Sequence, residues 1–464
     1  VIHLSLDDLA GIVGGTVYGR SDQVSIIGPI AVDSRRATEG CVFIAMRGEN
    51  TDGHRFVSAA IDAGASIIIA ERPLDVAVPV VVVDDSRDAL TNLTGEVVAR
   101  VRAEGRLKVV AVTGSNGKTT TKNILRAILE TAGPVVAPHE SFNYEVGVLL
   151  SMLDITAATE FLIVELGASA EGEIARLVSI VVPDIAIVLK VGLAHAGGFG
   201  SIEATQRAKA EIVAELPTTA VAVLNVDDTR VAEMAGMTRA RVVSFGFSGS
   251  AELRAENITT TSAGTSFTLV SAQDRHTVRL RIFGEHNVMN AVAAFAAAKE
   301  LGVDMGVAIA AVSMLPRAEH WCMDLHRAPG DITVINDAHD ASPDSMAAAL
   351  KTLAEITRGK HRAVAVLGEM SELGEFADEE HDRLGRLAVR LNIDQLIVVG
   401  HAARHLHNAA GLEGSWDGES VLVESADVAY DLLRDVLQPG DVVLVTSSNS
   451  AGLGMLGDRI AGVN

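Results

Sequence analysis

The stretch KVVAVTGSNGKTTTKNIL (108–125) constrains this chain more than any other. A β-branched apolar run, of the kind a strand covered on both faces requires, meets the turn Gly114-Ser115-Asn116-Gly117, and a helix opens at Lys118 and Thr119. A strand that turns so tightly into a helix belongs inside a parallel sheet, with the turn at the sheet's carboxyl edge. That turn is also shaped to cradle phosphate. Backbone N–H groups of Thr113 to Thr120 and the helix N-terminus converge on one point, Lys118 adds a positive charge, and the Thr119 hydroxyl can ligate a divalent cation. The position five before Gly117 is Val112, not the glycine of the strict phosphate-loop pattern.

The strand–helix alternation recurs along the chain. FLIVELG, DIAIVLK and AVAVLN read as further buried strands, and Lys118 to Glu130 and Ile202 to Leu216 as helices, giving a central phosphate-loop domain over 105–316 with a parallel sheet. Before it, Ser5 caps a short amphipathic helix (Leu6, Leu9, Ile12, Val13) that stops at Gly14-Gly15. CVFIAM (41–46), SIIIA (66–70) and VPVVVVD (78–84) then read as strands of a small domain over 1–104, bounded by a charged helical segment from Val97 to Leu107 with a break at Gly105. After it, ITVIND (332–337), AVAVLGE (363–369), QLIVVG (395–400) and DVVLVTS (441–447) predict a Rossmann-like domain over 317–464. The expected fold class is therefore α/β in three domains, as a length of 464 residues suggests.

Composition narrows the partners. A formal net charge of −22 disfavours nucleic acid and anionic membrane surfaces, so any phosphate site has to be local. Cys41 and Cys322 are the two cysteines, far apart and in no metal-ligand spacing, which predicts free thiols in a cytosolic protein. No basic leader with an apolar run, and no stretch long enough to span a bilayer, is expected.

Glu165 closes the strand FLIVELG on the edge where the cradle lies, and a carboxylate there can hold a cation. His195 in GLAHAGGFGS and Lys209 in the Ile202 to Leu216 helix say little alone: imidazole is an unusual ligand for a hard cation, and helix lysines are ordinarily solvated. The ordered set TGSNGKTT, ELGA, AHAGGFGS and RAKAEI, however, resembles the Mur ligase family of ATP-dependent amide ligases, over nearly the whole chain. The resemblance implies that Thr119, Glu165 and His195 hold Mg²⁺, that Lys209 is carbamylated and adds a carboxylate, and that Lys118, Glu165, His195 and Lys209 are the catalytic set. VDSR (32–35) and FIAMRGENTDGHRF (43–56) resemble the UDP-binding N-terminal domain, which implies substrate contacts at Ser34, Arg35, Arg47, Asp52, Gly53 and His54. FNYEVG (142–147) is similar to a substrate loop and adds Asn143. GEHNVMNAVAA (284–294) is similar to the adenine-side motif, with Asn287 and Asn290, and NDAHDASPDSM (336–346) to the element whose aspartate, here Asp337, reaches the ribose. LGEMSELGE (367–375), with His381 and Gly385, points within the family to the branch that joins D-alanyl-D-alanine to UDP-N-acetylmuramoyl-tripeptide in peptidoglycan precursor synthesis. The implied partners are those two substrates, ATP and Mg²⁺, with no nucleic acid and no membrane span, in a monomer of the bacterial cytoplasm.

The chain departs from the family pattern at several places. Lys190 stands where an Asn is expected, Tyr144 replaces the second Asn of FNNE, and Ala210 replaces the Gly of AKGE. His320 takes the place of an Arg before the linker Trp; His339, Asp340 and Ser342 replace Tyr, Asn and Asn. Thr446 and Asn449 stand where KASRSAGL carries Lys and Arg, removing two positive charges. These changes bear on acceptor binding and on closure of the last domain. They keep two alternatives open at this point: another Mur-type ligase, or a degenerate nucleotide-binding paralogue with weak ligase activity.

Overall fold

The computed structural model describes all of the chain except residues 1–3, 20–24, 27, 49–50, 139–144, 195, 262, 316–319, 414–415 and 464. The amphipathic helix at the start forms as its sequence dictates. Ser5 caps Leu6–Val13 through a reciprocal bond with Asp8, and Gly14, at φ 66°, ends it in the left-handed conformation. The first sheet pairs Ile30–Ala31, Val42–Ile44, Ile67–Ala70 and Val80–Val82 in parallel, with Thr16–Tyr18 antiparallel on one edge. Helix Ser86–Ala103, capped by Asp85, starts well before the charged segment that marked it in the sequence. Its buried Leu90, Leu93, Val97 and Val101 enter one core with Val148, Leu149, Leu177 and Val178 of the helices Glu145–Met152 and Glu173–Val181, which seats the first domain on the second.

The central sheet places Lys108–Thr113 between Ile185–Val188 and Phe161–Glu165, all parallel. Beyond Ile185–Val188 the order continues through Val221–Asn225 and Arg241–Gly246 to Leu253–Thr261. There the expected all-parallel sheet ends: Leu253–Thr261, Gly264–Val270 and Arg275–Leu280 form an antiparallel extension. These strands alternate buried with exposed residues, so one face meets water, the arrangement antiparallel strands tolerate and buried parallel strands do not. Helix Glu285–Glu300 is buried on most sides by its alanines and packs against Lys118–Leu129.

In the last domain Ile332–Asp337, Val442–Thr446, Ala363–Leu367, Gln395–Val399 and Glu419–Val423 are parallel, and Asp324–Ala328 adds an antiparallel edge. Helix Ala377–Arg390 packs so closely on the helix Arg404–Leu412 that any side chain at Gly385 would strike the Leu406 carbonyl. His381 is locked beneath it: its Nε2 accepts from the Met370 N–H at 3.0 Å, and Nδ1 lies 2.6 Å from the Ala377 carbonyl. The loop leaving Ile332–Asp337 reaches back to the turn after Lys108–Thr113, with the Ser342 hydroxyl on Asn116 Oδ1 at 2.9 Å and Asp344 on the Lys190 ammonium at 2.8 Å, and this is where the second and third domains meet.

Candidate active site

Thr113 ends the central strand with its hydroxyl donating to the Leu166 carbonyl at 2.7 Å, which ties it to the neighbouring strand's exit. Gly114 and Gly117 adopt φ 155° and 83°, and at Gly117 a side chain would collide with Asn290 Oδ1. Glycine is therefore required at Gly117 both by its left-handed backbone and by the approach of helix Glu285–Glu300. Ser115 is held by exchange with the next strand's exit: its N–H donates to the Lys190 carbonyl at 2.8 Å and its hydroxyl accepts from the Gly192 N–H at 2.8 Å. No side chain caps the helix Lys118–Leu129, so the N–H groups of its first turn face the turn's mouth. Lys118 is buried, and its ammonium donates to the Gly114 carbonyl at 3.1 Å. Asn116 Nδ2 is buried and has no hydrogen-bond partner. An unsatisfied buried donor beside uncapped helix N–H groups and an ammonium is what a phosphate oxygen would complete. Thr120, half-buried, follows in the same helical turn.

Across the cradle, Glu165 is 1% exposed and stands next to Val112 in the parallel ladder. The Thr119 hydroxyl donates to its two oxygens at 3.1 and 3.0 Å. This carboxylate and hydroxyl are the hard oxygen donors that a divalent cation takes. Lys122 lies one helical turn beyond Lys118 and is fully buried, with its ammonium 3.8 Å from Glu165 Oε2. The sequence reading passed over Lys122, although its i+4 spacing from Lys118 put it on the same helix face. Lys209 is 3% exposed in the helix Ile202–Ala214. Burial, and secondarily the Lys118 charge, push its amine down to about 7. The structure thus brings the cradle and Glu165 together and sets the buried Lys209 within electrostatic reach of Lys118, while His195 lies outside the described residues.

Asn287 and Asn290, both buried, sit on the side of the cradle formed by helix Glu285–Glu300. Asn287 Nδ2 donates to the Phe283 carbonyl at 2.8 Å, and Asn290 Nδ2 to Asn287 Oδ1 at 3.2 Å. Asp337 is at the mouth of the third domain's sheet. Its Oδ1 accepts from the Met323 N–H at 2.9 Å, and burial, with a smaller effect from Asp340, raises its carboxyl to about 7. Beside it in the ladder is Thr446, fully buried, whose hydroxyl has no partner. The ladder thus sets a buried, unpartnered hydroxyl beside the Asp337 carboxyl.

The N-terminal candidates form a separate cluster. His54 Nε2 accepts from the Glu71 N–H at 3.1 Å, so its proton sits on Nδ1, 2.6 Å from Asp52 Oδ1. Both ring nitrogens are thereby committed to holding the loop. The Arg47 guanidinium pairs with Glu71 at 2.8 Å while its backbone forms an isolated antiparallel bridge with Asp52, and Gly53 lies too close to the Met46 backbone for any side chain. Ser34 and Arg35 occupy a single 3₁₀ turn capped by Asp33, which also binds the exposed Arg35 guanidinium at 2.6 Å. Asn143 lies outside the described residues.

Comparison with known proteins identifies the family. Residues 27–115 match the profile of the Mur ligase family catalytic domain, 112–298 that of the Mur ligase middle domain, and 323–449 that of the Mur ligase glutamate ligase domain. The chain is 39% identical to the UDP-N-acetylmuramoyl-tripeptide--D-alanyl-D-alanine ligase of Mycobacterium tuberculosis, over 99% of this chain and 98% of that one. It is 32% identical to the Escherichia coli enzyme of the same name, over 98% and 97%. Among solved structures, MurF from Acinetobacter baumannii superposes with a TM-score of 0.90 at 30% identity, covering 100% of this chain and 99% of that one. MurF from Thermotoga maritima in complex with ADP gives 0.82 at 27% identity, covering 94% and 98%. With matches that run from the first domain into the last and relatives that align end to end, the chain belongs to the Mur ligase family.

Proposed function

We propose that this chain is the ATP-dependent ligase that joins D-alanyl-D-alanine to UDP-N-acetylmuramoyl-tripeptide. The observation that supports the reading is an uncapped helix N-terminus that carries the Lys118 ammonium and the Thr119–Glu165 pair, with the buried Lys209 within electrostatic reach of Lys118. An amide cannot form readily from an ionised carboxylate, so the acid has to be activated. The cradle holds the nucleotide's phosphates while the γ-phosphoryl passes to the tripeptide's terminal carboxylate. The unprotonated dipeptide amine then attacks the acyl carbon, and the C–O bond to phosphate breaks as the amide forms, with the nitrogen's surplus proton lost to solvent or the departing phosphate. Lys118 and the loop N–H groups neutralise charge on the phosphoryl oxygens throughout. Mg²⁺ supplies further neutralisation when bound, and Thr119, Glu165 and His195 are the residues proposed to hold it.

Lys209 has a chemical task that a solvated lysine lacks. With its amine pushed down to about 7, much of it is unprotonated at neutral pH and can add to CO₂, losing a proton to become a carbamate. The modification replaces a cation beside Lys118 with an anion, which reverses the repulsion there. Asn287, Asn290 and Asp337 are proposed to contact the nucleoside, and Ser34, Arg35, Arg47, Asp52, Gly53, His54 and Asn143 the UDP-sugar peptide. The domains are proposed to divide at 104 and 316 as peptide-binding, ATP-binding and acceptor-binding units, in a cytoplasmic monomer. No helix among the described residues is long and apolar enough to cross a membrane.

The test is phosphate release with UDP-N-acetylmuramoyl-tripeptide, ATP and Mg²⁺, with and without D-alanyl-D-alanine, and mass analysis of the product. Release that requires the dipeptide, with a pentapeptide product, is expected; release with no product, or a product formed only with another amino acid, would overturn the reading. Lys209→Ala should lose at least about a hundredfold in kcat and recover partly with added formate or acetate. Full activity without rescue would remove the carbamate.

A further inference from the structure

In a chain with 60 acidic against 38 basic residues, the segment RHTVRLR (275–281) holds three arginines and no acid. It also lies at the end of a sheet. Arg275–Leu280 pairs on one side with Gly264–Val270, and no strand among the described residues pairs its other side, which leaves a row of backbone N–H and C=O groups open to pairing. Arg275 and Arg254 share the one carboxylate of Glu256, at 2.6 and 2.9 Å. Arg279 and Arg281 are both exposed, and their guanidiniums pair with no acid among the described residues.

A cavity of about 520 Å³ runs along this edge. Thr277 and Arg279 line it from the water-facing side of the strand, Leu280 and Ser313 from the opposite side, and Ala263 and Arg281 complete it. On that opposite side Val278 and Leu280 share a core with Ala308 and Val312 of the helix Met305–Met314. A hollow that wraps both faces of a strand has the strand's open edge for its floor. Arginines on such an edge repel a like edge, which guards the sheet against pairing with a second copy of itself. The same charges select an occupant of opposite sign. Arg279 and Arg281 are two residues apart, roughly 7 Å along an extended chain, which matches carboxylates at positions i and i+2 of an added strand. The residue between those two acids turns to the other face, where the helix Met305–Met314 puts Ser313 on the cavity wall and, next to it in sequence, Met314 at 73% exposed.

We propose that the edge strand Arg275–Leu280 is a docking surface for a partner protein, which adds an extended segment of alternating acidic and apolar side chains with its carboxylates on Arg279 and Arg281. The segment's backbone supplies the hydrogen bonds that the edge lacks, and the arginines choose its sign. A small anion would use the guanidiniums alone and leave the backbone edge unpaired. Five strands separate this edge from Lys108–Thr113 in the sheet order, so an occupant leaves the phosphate cradle open. The surface does not depend on which reaction the chain catalyses.

The probe is a short dye-labelled peptide of alternating Glu and Val, titrated with the full chain and read by fluorescence anisotropy. Binding is expected, and none for the peptide in which Lys replaces Glu. Arg279→Glu with Arg281→Glu should weaken binding at least about tenfold, since two attractions become repulsions. Methylating the backbone amides along one edge of the peptide removes hydrogen bonds but no charge, and should weaken binding by a similar factor. No binding at millimolar peptide, unchanged affinity in the charge-reversed variant, or equal affinity for the methylated peptide would overturn the proposal. Displacement by inorganic phosphate at constant ionic strength would overturn it in favour of a small anion, and a wild-type dimer in sedimentation that the charge-reversed variant loses would overturn it in favour of a second copy. Both positions are exposed, so the variant should melt and turn over ATP as wild type does; Arg279→Gln with Arg281→Gln, which adds no charge, takes its place if it melts early.

Discussion

Lys122 shows how much a single buried charge governs this site. Its ammonium and the Glu165 carboxylate have 0% and 1% of their side chains exposed, so neither is compensated by water. Removing one partner of such a pair typically costs about 3–5 kcal/mol, because the other charge is left buried. Lys122→Met should therefore lower the melting temperature by several degrees in EDTA, and Mg²⁺ should recover more of it in the variant than in wild type, since a cation at Glu165 then meets no competing ammonium. Equal Mg²⁺-induced shifts in the two proteins would show that Lys122 does not act through Glu165. Lys122→Arg should lie near wild type. Lys209 differs in kind: among the described residues it has no ion-pair partner, and its burial lowers its pKa instead.

At the scale of elements, the end of the strand Val442–Thr446 carries the clearest change of chemistry. In the parallel ladder Thr446 faces Asp337, whose carboxyl is raised from 3.8 to about 7. Between those values the unfolded chain ionises while the folded chain keeps its proton, so this group costs stability progressively as pH rises from about 4 to about 7. Thr446→Lys supplies the missing cation, and denaturant titrations should show that fall in stability diminished. An unaltered pH profile would mean the new ammonium does not reach Asp337. Asn449 is exposed just beyond, its N–H on the His339 carbonyl at 3.0 Å. Asn449→Arg should lower the KM for D-alanyl-D-alanine about tenfold, as a charge-assisted bond worth about 1.5–3 kcal/mol allows, with kcat little changed. An unchanged KM would place this position outside the acceptor site. The parallel strands were legible in sequence because burial on both faces selects unbroken β-branched runs such as AVAVL and VVLVT. The antiparallel extension was not, since Leu253–Thr261 interleaves Arg, Glu, Asn and Thr with only three apolar residues in nine. Helix Glu285–Glu300 was visible only as a motif, because a helix buried on most sides has no polar face to set a period. Of the site, the cradle and Glu165 could be read from spacing. Lys190–Asp344 could not: its partners are separated by 154 residues, and nothing local in either segment names the other.

For the whole molecule, the seam at the phosphate loop is close-fitting as well as polar. A side chain at Gly197 would meet the Glu372 carbonyl and the Gly374 nitrogen, each at 2.9 Å, and backbone cannot yield as a flexible side chain would. Gly197→Val should therefore hold the third domain away and expand the chain in scattering while leaving its melting temperature close to wild type. A compact Gly197→Val would show that the seam can slide. The Ser342–Asn116 bond adds a consequence for synthesis. Its two ends lie 226 residues apart, so at about 5–20 residues per second the phosphate loop leaves the ribosome roughly 10–45 seconds before the residue that completes its wall. During that interval a growing chain can assemble the cradle but not the cleft, and the cell's ATP meets a half-built enzyme that has nothing to close with.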